Sequence, residues 1–251
     1  MKKILALVLV LVMALGCFAF AGCSGEKKLV EDGKLIMGTN AEFPPYEFVE
    51  GGDIVGIDAE IAGAVAEKLG LELVIEDMKF DSLLTAVGEG QIDVVFAGLT
   101  VTDERKDAVD FTDTYAVGKQ VIIVPEDSKI ASADDLEGKT IGVQAGTTGE
   151  IYCSDDFGSD NVKSYDSGAL AVAALKSKQL DCVVIDNEPA KAFVAANEGL
   201  KILETEYVVE DYAAAVRKGN TELQEEINNA MKELKEDGTI DAIIAKYIKA
   251  E

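Results

Sequence analysis

Histidine and tryptophan are absent from this chain of 251 residues, and cysteine and proline each occur only four times. Without histidine, neither a Ser-His-Asp triad nor a histidine-ligated metal centre can form. Arginine is nearly absent as well, since only Arg105 and Arg217 are arginines among the 23 basic side chains. Lysine therefore supplies the ordinary positive charge, and Arg105 needs a specific explanation.

Positive charge is in deficit overall, because the formal net charge is −24 at pH 7. Nucleic acids and anionic lipid surfaces attract basic patches, so we expect no nucleic-acid partner. The charge itself does not identify a small-molecule ligand. We expect no cofactor and no metal.

The N-terminus has the pattern of an export signal. Lys2 and Lys3 precede an apolar run over residues 4–20, and small residues then lead to Cys23. We predict a signal peptide over 1–22 and a lipidated N-terminus with a linker over 23–28. The site at Cys23 resembles the lipobox of bacterial lipoproteins, which implies diacylation (palmitate) and attachment to the outer face of the cell membrane. An uncleaved anchor is the alternative, since about 17 apolar residues is near the shortest membrane span.

Two cysteines, Cys153 and Cys182, lie well beyond this segment. An even pair in an exported protein can form a disulfide. Cys182 lies in the mostly apolar run 180–185, however, where a buried thiol packs as a small hydrophobic residue. We favour two free thiols, with the disulfide as the alternative.

Short strand-like runs alternate with helical patterns along the rest of the chain. This alternation predicts an α/β fold with a mostly parallel sheet. The predicted strands cover residues 34–39, 71–76, 92–96, 140–143, 161–165 and 180–186. Apolar stripes at helical spacing predict helices around residues 61–69, 170–175, 223–234 and 240–247.

Two extended segments, 111–124 and 208–216, do not resemble crossover helices. If both carry the chain between lobes, residues 118–212 form a second lobe inserted into a first lobe. The first lobe is then built from residues 29–117 and 213–251. A cleft between two such lobes would gather the carboxyl ends of the strands, where open α/β sheets bind ligands.

Arg105 lies near the start of a predicted helix that follows one of these strands. Thr102 is a good N-cap, which places Arg105 near the third helical position, where the helix terminus repels a cation. The same position puts a planar five-donor guanidinium beside free N–H groups, a geometry suited to a carboxylate. For Arg105 alone, the simpler alternative is that it is one of several charged, solvent-exposed residues on the helix surface.

Two further strand-to-helix junctions carry polar groups. Thr147 and Thr148 can cap a helix and expose N–H groups, and Asp186 directly follows a buried strand. A plain turn and an ordinary N-cap are the simpler alternatives. Together, however, Arg105 and Asp186 offer the opposite charges that a zwitterion requires, and burying a zwitterion between them leaves no charge unpaired.

Several segments resemble the family 3 extracellular solute-binding proteins of polar amino acid ABC transporters. These segments are residues 38–48 (GTNAEFPPYEF), 56–58 (GID), 80–81 (FD), 98–106 (GLTVTDERK), 109–113 (VDFTD) and 238–247 (GTIDAIIAKY). The resemblance implies a two-lobed, type II periplasmic-binding-protein-like fold, with mixed, mostly parallel sheets joined by two hinge strands. It also implies a monomer that captures a polar L-amino acid and delivers it to an ABC transporter permease.

The resemblance also implies a ligand site. Arg105 would hold the ligand carboxylate with the Thr100 hydroxyl and the Thr148 N–H, while the Gly98 backbone and Asp186 would hold the ammonium group. The remaining predicted site residues are Phe43 and Phe80, which would sandwich the ligand side chain, together with Asn40 and Thr147.

Asn40 departs from the family pattern, since members selecting basic side chains often carry aspartate there. Glu42, Asp58 or Glu188 could supply a charge instead, although we expect Asp58 to be the N-cap of a helix over 59–69. An enzyme on the same scaffold, similar to cyclohexadienyl dehydratases and using Asp58, Glu188 or Asp186, is one alternative function. An amino-acid-sensing lipoprotein without a transporter is the other.

Overall fold

A computed structural model describes residues 28–203 and 207–249. The predicted signal peptide and Cys23 lie outside the described residues. Within this part of the chain, no helix combines the length and the apolar character needed to cross a bilayer.

The described residues contain twelve strands and eight α-helices. The strands are β1 (Lys34–Thr39), β2 (Glu42–Phe43), β3 (Glu47–Glu50), β4 (Asp53–Val55), β5 (Glu72–Asp77), β6 (Val94–Val95), β7 (Val109–Pro125), β8 (Ile141–Gln144), β9 (Val162–Tyr165), β10 (Cys182–Asp186), β11 (Leu200–Ile202) and β12 (Val208–Arg217). The helices are α1 (Ile57–Leu69), α2 (Leu83–Gly88), α3 (Asp103–Ala108), α4 (Thr148–Phe157), α5 (Gly168–Lys176), α6 (Asn187–Ala196), α7 (Thr221–Glu236) and α8 (Thr239–Tyr247).

Nine strands form one mixed sheet in the order β5-β1-β6-β12-β7-β10-β8-β9, with β11 also paired to β7. The strands at each end are parallel to one another, whereas β12 and β7 run antiparallel between the two ends. We define lobe 1 as β1–β6 with α1–α3, α7 and α8, and lobe 2 as β8–β11 with α4–α6. The long strands β7 and β12 connect the lobes, which confirms the predicted two-lobed α/β architecture.

The two connecting strands contact each other closely where they cross between the lobes. Tyr212 on β12 is fully buried, and a Cβ atom added to Gly118 on β7 would lie 2.1 Å from its hydroxyl oxygen. Any side chain at position 118 would therefore occupy the space of the phenol. Glycine at this position lets the two strands pack.

Apolar side chains at helical spacing form the buried faces of the helices, as predicted. Leu223, Ile227, Met231 and Leu234 line the buried face of α7, which packs on α1. In lobe 2, Cys153 and Cys182 are both buried in one apolar cluster and both are free thiols. Burial raises the pKa of Cys153 to about 12, so this thiol packs as a small hydrophobic residue.

The expectation for Asp58 is wrong. The helix begins at Ile57, and Gly56 occupies the N-cap position. The main-chain carbonyls of Pro45 and Tyr46 accept hydrogen bonds from the N–H groups of Ile57 and Asp58, so no side chain is needed to cap this terminus. The fully buried Asp58 carboxylate instead turns inward.

Candidate functional site

Arg105 lies between the two lobes. Its backbone N–H donates to the Thr102 hydroxyl oxygen at 3.1 Å, which confirms Thr102 as the N-cap of α3. Nη1 donates to the Thr100 carbonyl at 2.7 Å, and Nη2 donates to the Gly146 carbonyl of lobe 2 at 3.0 Å. Only 6% of the residue is exposed, and this burial lowers the pKa of the guanidinium. Arg105 is therefore a buried cation that contacts both lobes through carbonyl groups.

The two predicted aromatic residues contact different parts of the site. The Phe80 ring centroid lies 5.6 Å from the Arg105 guanidinium carbon. Phe43 is buried and stacks on Tyr46 at 5.9 Å between ring centroids. Phe43 also packs on Gly98, where an added Cβ atom would lie 2.8 Å from its ring.

Helix α4 starts beside the loop that Arg105 contacts. Thr147 is its N-cap, accepting from the Glu150 N–H at 3.4 Å and donating to the Gln144 carbonyl at 2.8 Å. Thr148, the first helical residue, is 2% exposed. The junction thus places a helix N-terminus next to Gly146, the lobe 2 contact of Arg105.

Asp186 is buried at the end of β10, directly opposite Gln120 of β7. Its carboxylate accepts hydrogen bonds from the Tyr212 hydroxyl and from the Gln120 side chain. Burial and the nearby charge of Glu210 raise the pKa of Asp186 to about 7. Asp186 holds the N-cap position of α6 without a side-chain capping bond, so its carboxylate is not used to cap the helix.

Gly98 and Asp58 are joined beneath the cleft. The Gly98 N–H donates to Asp58 Oδ2 at 2.7 Å, and the Tyr115 hydroxyl donates to the same oxygen at 2.7 Å. Asp58 also shares a hydrogen bond with the fully buried carboxyl group of Glu47. Asp58 therefore satisfies the Gly98 N–H, and the Gly98 carbonyl is the backbone group of this residue that could accept a hydrogen bond from a ligand.

Asn40 forms the second buried bridge between the lobes. Its Oδ1 accepts from Gln144 Nε2 of lobe 2 at 2.8 Å, and its Nδ2 donates to the Met78 carbonyl at 3.0 Å. A groove of about 640 Å³ opens beside Asn40 and is walled by residues of both lobes, including Met78 and Phe193. The main chain of Thr100 also contacts the site, through the carbonyl that accepts from Arg105.

Sequence reasoning missed four polar residues that the fold brings to this region: Gln120, Gln144, Glu210 and Tyr212. Gln120 Nε2 donates to Glu210 Oε2 at 2.8 Å, and both residues are buried. The available signal was a polar residue inside a strand that is otherwise mostly apolar, since such a residue must find a partner in the interior.

Residues 35–250 match the family model of bacterial extracellular solute-binding proteins, family 3. The chain belongs to this family. Among its relatives is the arginine-binding extracellular protein ArtP of Bacillus subtilis strain 168, which is 36% identical over 257 residues covering 100% of both chains. The L-cystine-binding protein TcyJ of Escherichia coli strain K12 is 31% identical over 252 residues, covering 99% of this chain and 94% of TcyJ.

Solved structures of arginine-binding proteins share the fold. The arginine-, lysine-, histidine-binding protein ArtJ of Geobacillus stearothermophilus has a TM-score of 0.83 and 33% identity, covering 87% of this chain and 96% of its own. An ancestral arginine-binding protein bound to glutamine has a TM-score of 0.81 and 43% identity, covering 88% of this chain and 100% of its own. These relatives of the family 3 protein are named as binding proteins rather than enzymes, and the family is one of exported proteins.

Proposed function

We propose that this family 3 protein captures a free polar L-α-amino acid between its lobes and delivers it to the permease of an ABC importer. The relatives support the class of ligand, since their names include arginine-, histidine-, cystine- and glutamine-binding proteins. In this proposal, residues 118–212 move as one lobe against residues 29–117 and 213–251.

The observation that carries the proposal is the environment of Arg105. A guanidinium that is 6% exposed donates to two main-chain carbonyls, one from each lobe, and no carboxylate among the described residues accepts a hydrogen bond from it. A buried cation is stabilised far better by a hydrogen-bonded anion than by neutral groups. The carboxylate of an amino acid supplies that anion.

The other site residues complete the two charged ends of the ligand. The carboxylate would replace the Gly146 carbonyl on Arg105 and accept from the Thr148 N–H at the start of α4 and from the Thr100 hydroxyl. The ammonium group would donate to Asp186 and to the Gly98 carbonyl. Thr147 caps α4 and keeps its N-terminus in place.

The side chain of the ligand would lie between the neutral walls of the site. The residues proposed to hold the two charged ends of the ligand, Arg105, Thr100, Thr148, Gly98 and Asp186, are called the clamp. Phe43 and Phe80 flank two of them, Gly98 and Arg105. The amides of Asn40 and Gln144, which pair with each other across the lobes, would turn to the polar end of the side chain. Contacts to both lobes exist only when the lobes close on the ligand, so binding favours the closed arrangement.

Delivery requires the protein to stay near its permease. A diacyl group on Cys23 would tether the chain to the outer face of the cell membrane, with residues 23–28 as the linker. Two acyl chains are enough for stable attachment, whereas one is marginal. The protein would work as a monomer, since each chain carries a complete clamp.

Titration calorimetry of Arg105→Ala with a panel of polar amino acids tests this function. Loss of the buried cation should weaken binding of the wild-type ligand by at least about 30-fold, because breaking a buried charged pair costs about 2–5 kcal/mol. Arg217→Ala is the matched control, since Arg217 lines a separate pocket beside Asp93. Unchanged affinity in the folded Arg105→Ala protein, or no amino acid bound by the wild type, would refute the proposal.

A further inference from the structure

We propose that Glu210 is a second carboxylate of the ligand site and that it makes the cleft prefer amino acids with a net positive charge. This inference rests on the proposed function and specifies its ligand class. It comes from the contacts of Glu210, a residue outside the predicted clamp.

Strand register places Glu210 on the same face of the sheet as Asp186. Glu210 and Tyr212 are two residues apart on β12, and Glu210 lies opposite Gly118 of β7. Gln120 is two residues further along β7 and lies opposite Asp186 of β10. Side chains two residues apart point to the same face of a strand. These side chains therefore form one polar floor between the lobes.

Glu210 is buried without enough hydrogen-bond donors. It is 5% exposed, and its Oε2 accepts from Gln120 while the Tyr152 hydroxyl also bonds to the carboxylate. Oε1 is buried and has no hydrogen-bond partner among the described residues. A buried carboxylate oxygen without a donor is costly, so this group is suited to receive a cation.

The Gln120 amide links the two carboxylates. Its side chain donates both to Glu210 and to Asp186. The charges of Glu210 and Asp186 also act on Arg105, with Glu210 the stronger of the two. Glu210 thus lies within electrostatic reach of both ends of the proposed clamp.

The charges of this floor do not balance for a zwitterion. Arg105 supplies one positive charge, whereas Asp186 and Glu210 supply two negative charges. A zwitterionic ligand adds no net charge and leaves one carboxylate uncompensated. A ligand with one additional positive charge balances the set, and charge balance governs the cost of burying ions.

Asp58, another buried carboxylate near the cleft, is held mainly by contacts within lobe 1 and with β7. Asp58 receives hydrogen bonds from the Gly98 N–H, the Tyr115 hydroxyl and the Glu47 carboxyl group. Asp58 Oδ1 likewise lacks an N–H or hydroxyl donor among the described residues, so Glu210 is distinguished by its neighbours: Asp58 faces the Glu47 carboxyl group, whereas Glu210 shares Gln120 with Asp186.

The test compares L-arginine with L-citrulline, which has nearly the same shape and no charge on its side chain. Calorimetry of the wild type should give at least about tenfold tighter binding of arginine, the scale expected for a close buried charge. Glu210→Gln keeps the size of the side chain and removes the charge. It should reduce the arginine-to-citrulline preference at least about tenfold, with citrulline affinity unchanged or improved.

Asp211→Asn is the matched control. Asp211 is the next residue of β12, is exposed and points to the opposite face. The Asp211→Asn substitution therefore removes one negative charge without changing a side chain of the polar floor. This variant should keep the wild-type preference.

Two results would overturn the inference. If Glu210→Gln weakens both ligands equally, Glu210 only holds Gln120 and Asp186 in place. If the wild type binds citrulline as tightly as arginine, the inference fails even where the variant does not fold. In both cases the proposed function stands, whereas wild-type protein that binds no amino acid removes the function itself.

Discussion

At the scale of single residues, Asp186 carries a carboxyl group on which opposing effects act to set the pKa. Burial and Glu210 favour its protonated form, whereas hydrogen bonds from Tyr212 and Gln120 favour the carboxylate. The result is a pKa of about 7. A ligand ammonium group requires the carboxylate, so the proton and the ligand compete for this residue.

We therefore expect amino acid affinity to fall as the pH drops below about 7, by up to about tenfold per pH unit. The ligand ammonium group stays protonated over this range, so the change reports the protein. Tyr212→Phe removes a donor to Asp186 and should raise the pKa of that carboxyl group. Calorimetry from pH 5.5 to pH 8.5 should place the midpoint of the affinity loss at higher pH in the variant.

A simple loss of packing in Tyr212→Phe would lower affinity by the same factor at every pH. An unshifted midpoint would thus contradict the assigned role of Tyr212.

Individual residues were predictable from the sequence where a local pattern restricts them. Thr102 fixes the helix position of Arg105, and Asp186 ends a clearly apolar strand. Asp58 was misassigned because an acidic residue at the start of a helix resembles an N-cap in the sequence. The carbonyls that replace the cap come from residues 45 and 46, and the sequence does not show that they approach the helix. Glu210 was missed because its partners are brought together only by strand pairing.

At the scale of elements, the small sheet β2-β3-β4 is tied to α1 by two carboxyl groups. Glu47 of β3 and Asp58 of α1 are both fully buried and share a hydrogen bond. Burial and the charge of Asp58 raise the pKa of Glu47 well above its ordinary value. Glu47 therefore keeps its proton to higher pH in the folded protein than in the unfolded chain.

This proton makes stability depend on pH. Glu47 binds its proton more tightly in the folded chain than in the unfolded chain, so stability falls as the pH rises above the unfolded pKa of 4.5. Glu47→Gln keeps an N–H donor to Asp58 without a titrating proton. Relative to wild type, it should gain about 1–2 kcal/mol in free energy of unfolding between pH 5 and pH 7.

Urea denaturation at the two pH values measures this difference. Glu50→Gln is the control, because Glu50 ends the same strand in an exposed position and should change stability equally at both pH values. A gain of the same size in both variants would show that Glu47 does not hold the proton.

Most long elements were predictable from apolar periodicity. β1 has the predicted bounds, and the extended segments 111–124 and 208–216 became the cores of β7 and β12. Strands β2, β3 and β4 were not predicted, since each has only two to four residues and pairs as a local antiparallel sheet. Such short strands show too few alternations for a pattern to emerge.

At the scale of the whole molecule, three polar side-chain contacts among the described residues join lobe 1 directly to lobe 2. Two are buried: Asn40 with Gln144, and Arg105 with Gly146. The third is the ion pair between Lys79 and Asp166, at 2.7 Å, in which both side chains are 60% exposed. An exposed ion pair contributes about 0–1 kcal/mol, so the buried contacts should dominate closure.

Lys79→Ala should consequently change ligand affinity by less than about fivefold, and raising the salt concentration should shrink the difference. Calorimetry in 50 mM and 500 mM sodium chloride measures both effects. A loss above about tenfold would mean that the exposed pair controls closure.

The overall architecture followed from the alternation of strands and helices and from two extended segments that broke it. The sequence did not predict that one sheet continues through β7 and β12. It also did not predict which residues meet between the lobes. Those contacts join positions more than 40 residues apart, such as Asn40 and Gln144, and no local pattern encodes them.

The close packing of Gly118 against Tyr212 has a consequence for redesign. A larger residue at position 118 requires the phenol to leave, and its departure removes a donor from Asp186. The packing of the two connecting strands and the proposed ammonium site thus depend on the same two positions. An engineered biosensor that needs a stiffer hinge should be altered elsewhere along β7 and β12, because stiffening it at position 118 would also retune the pH response of the sensor.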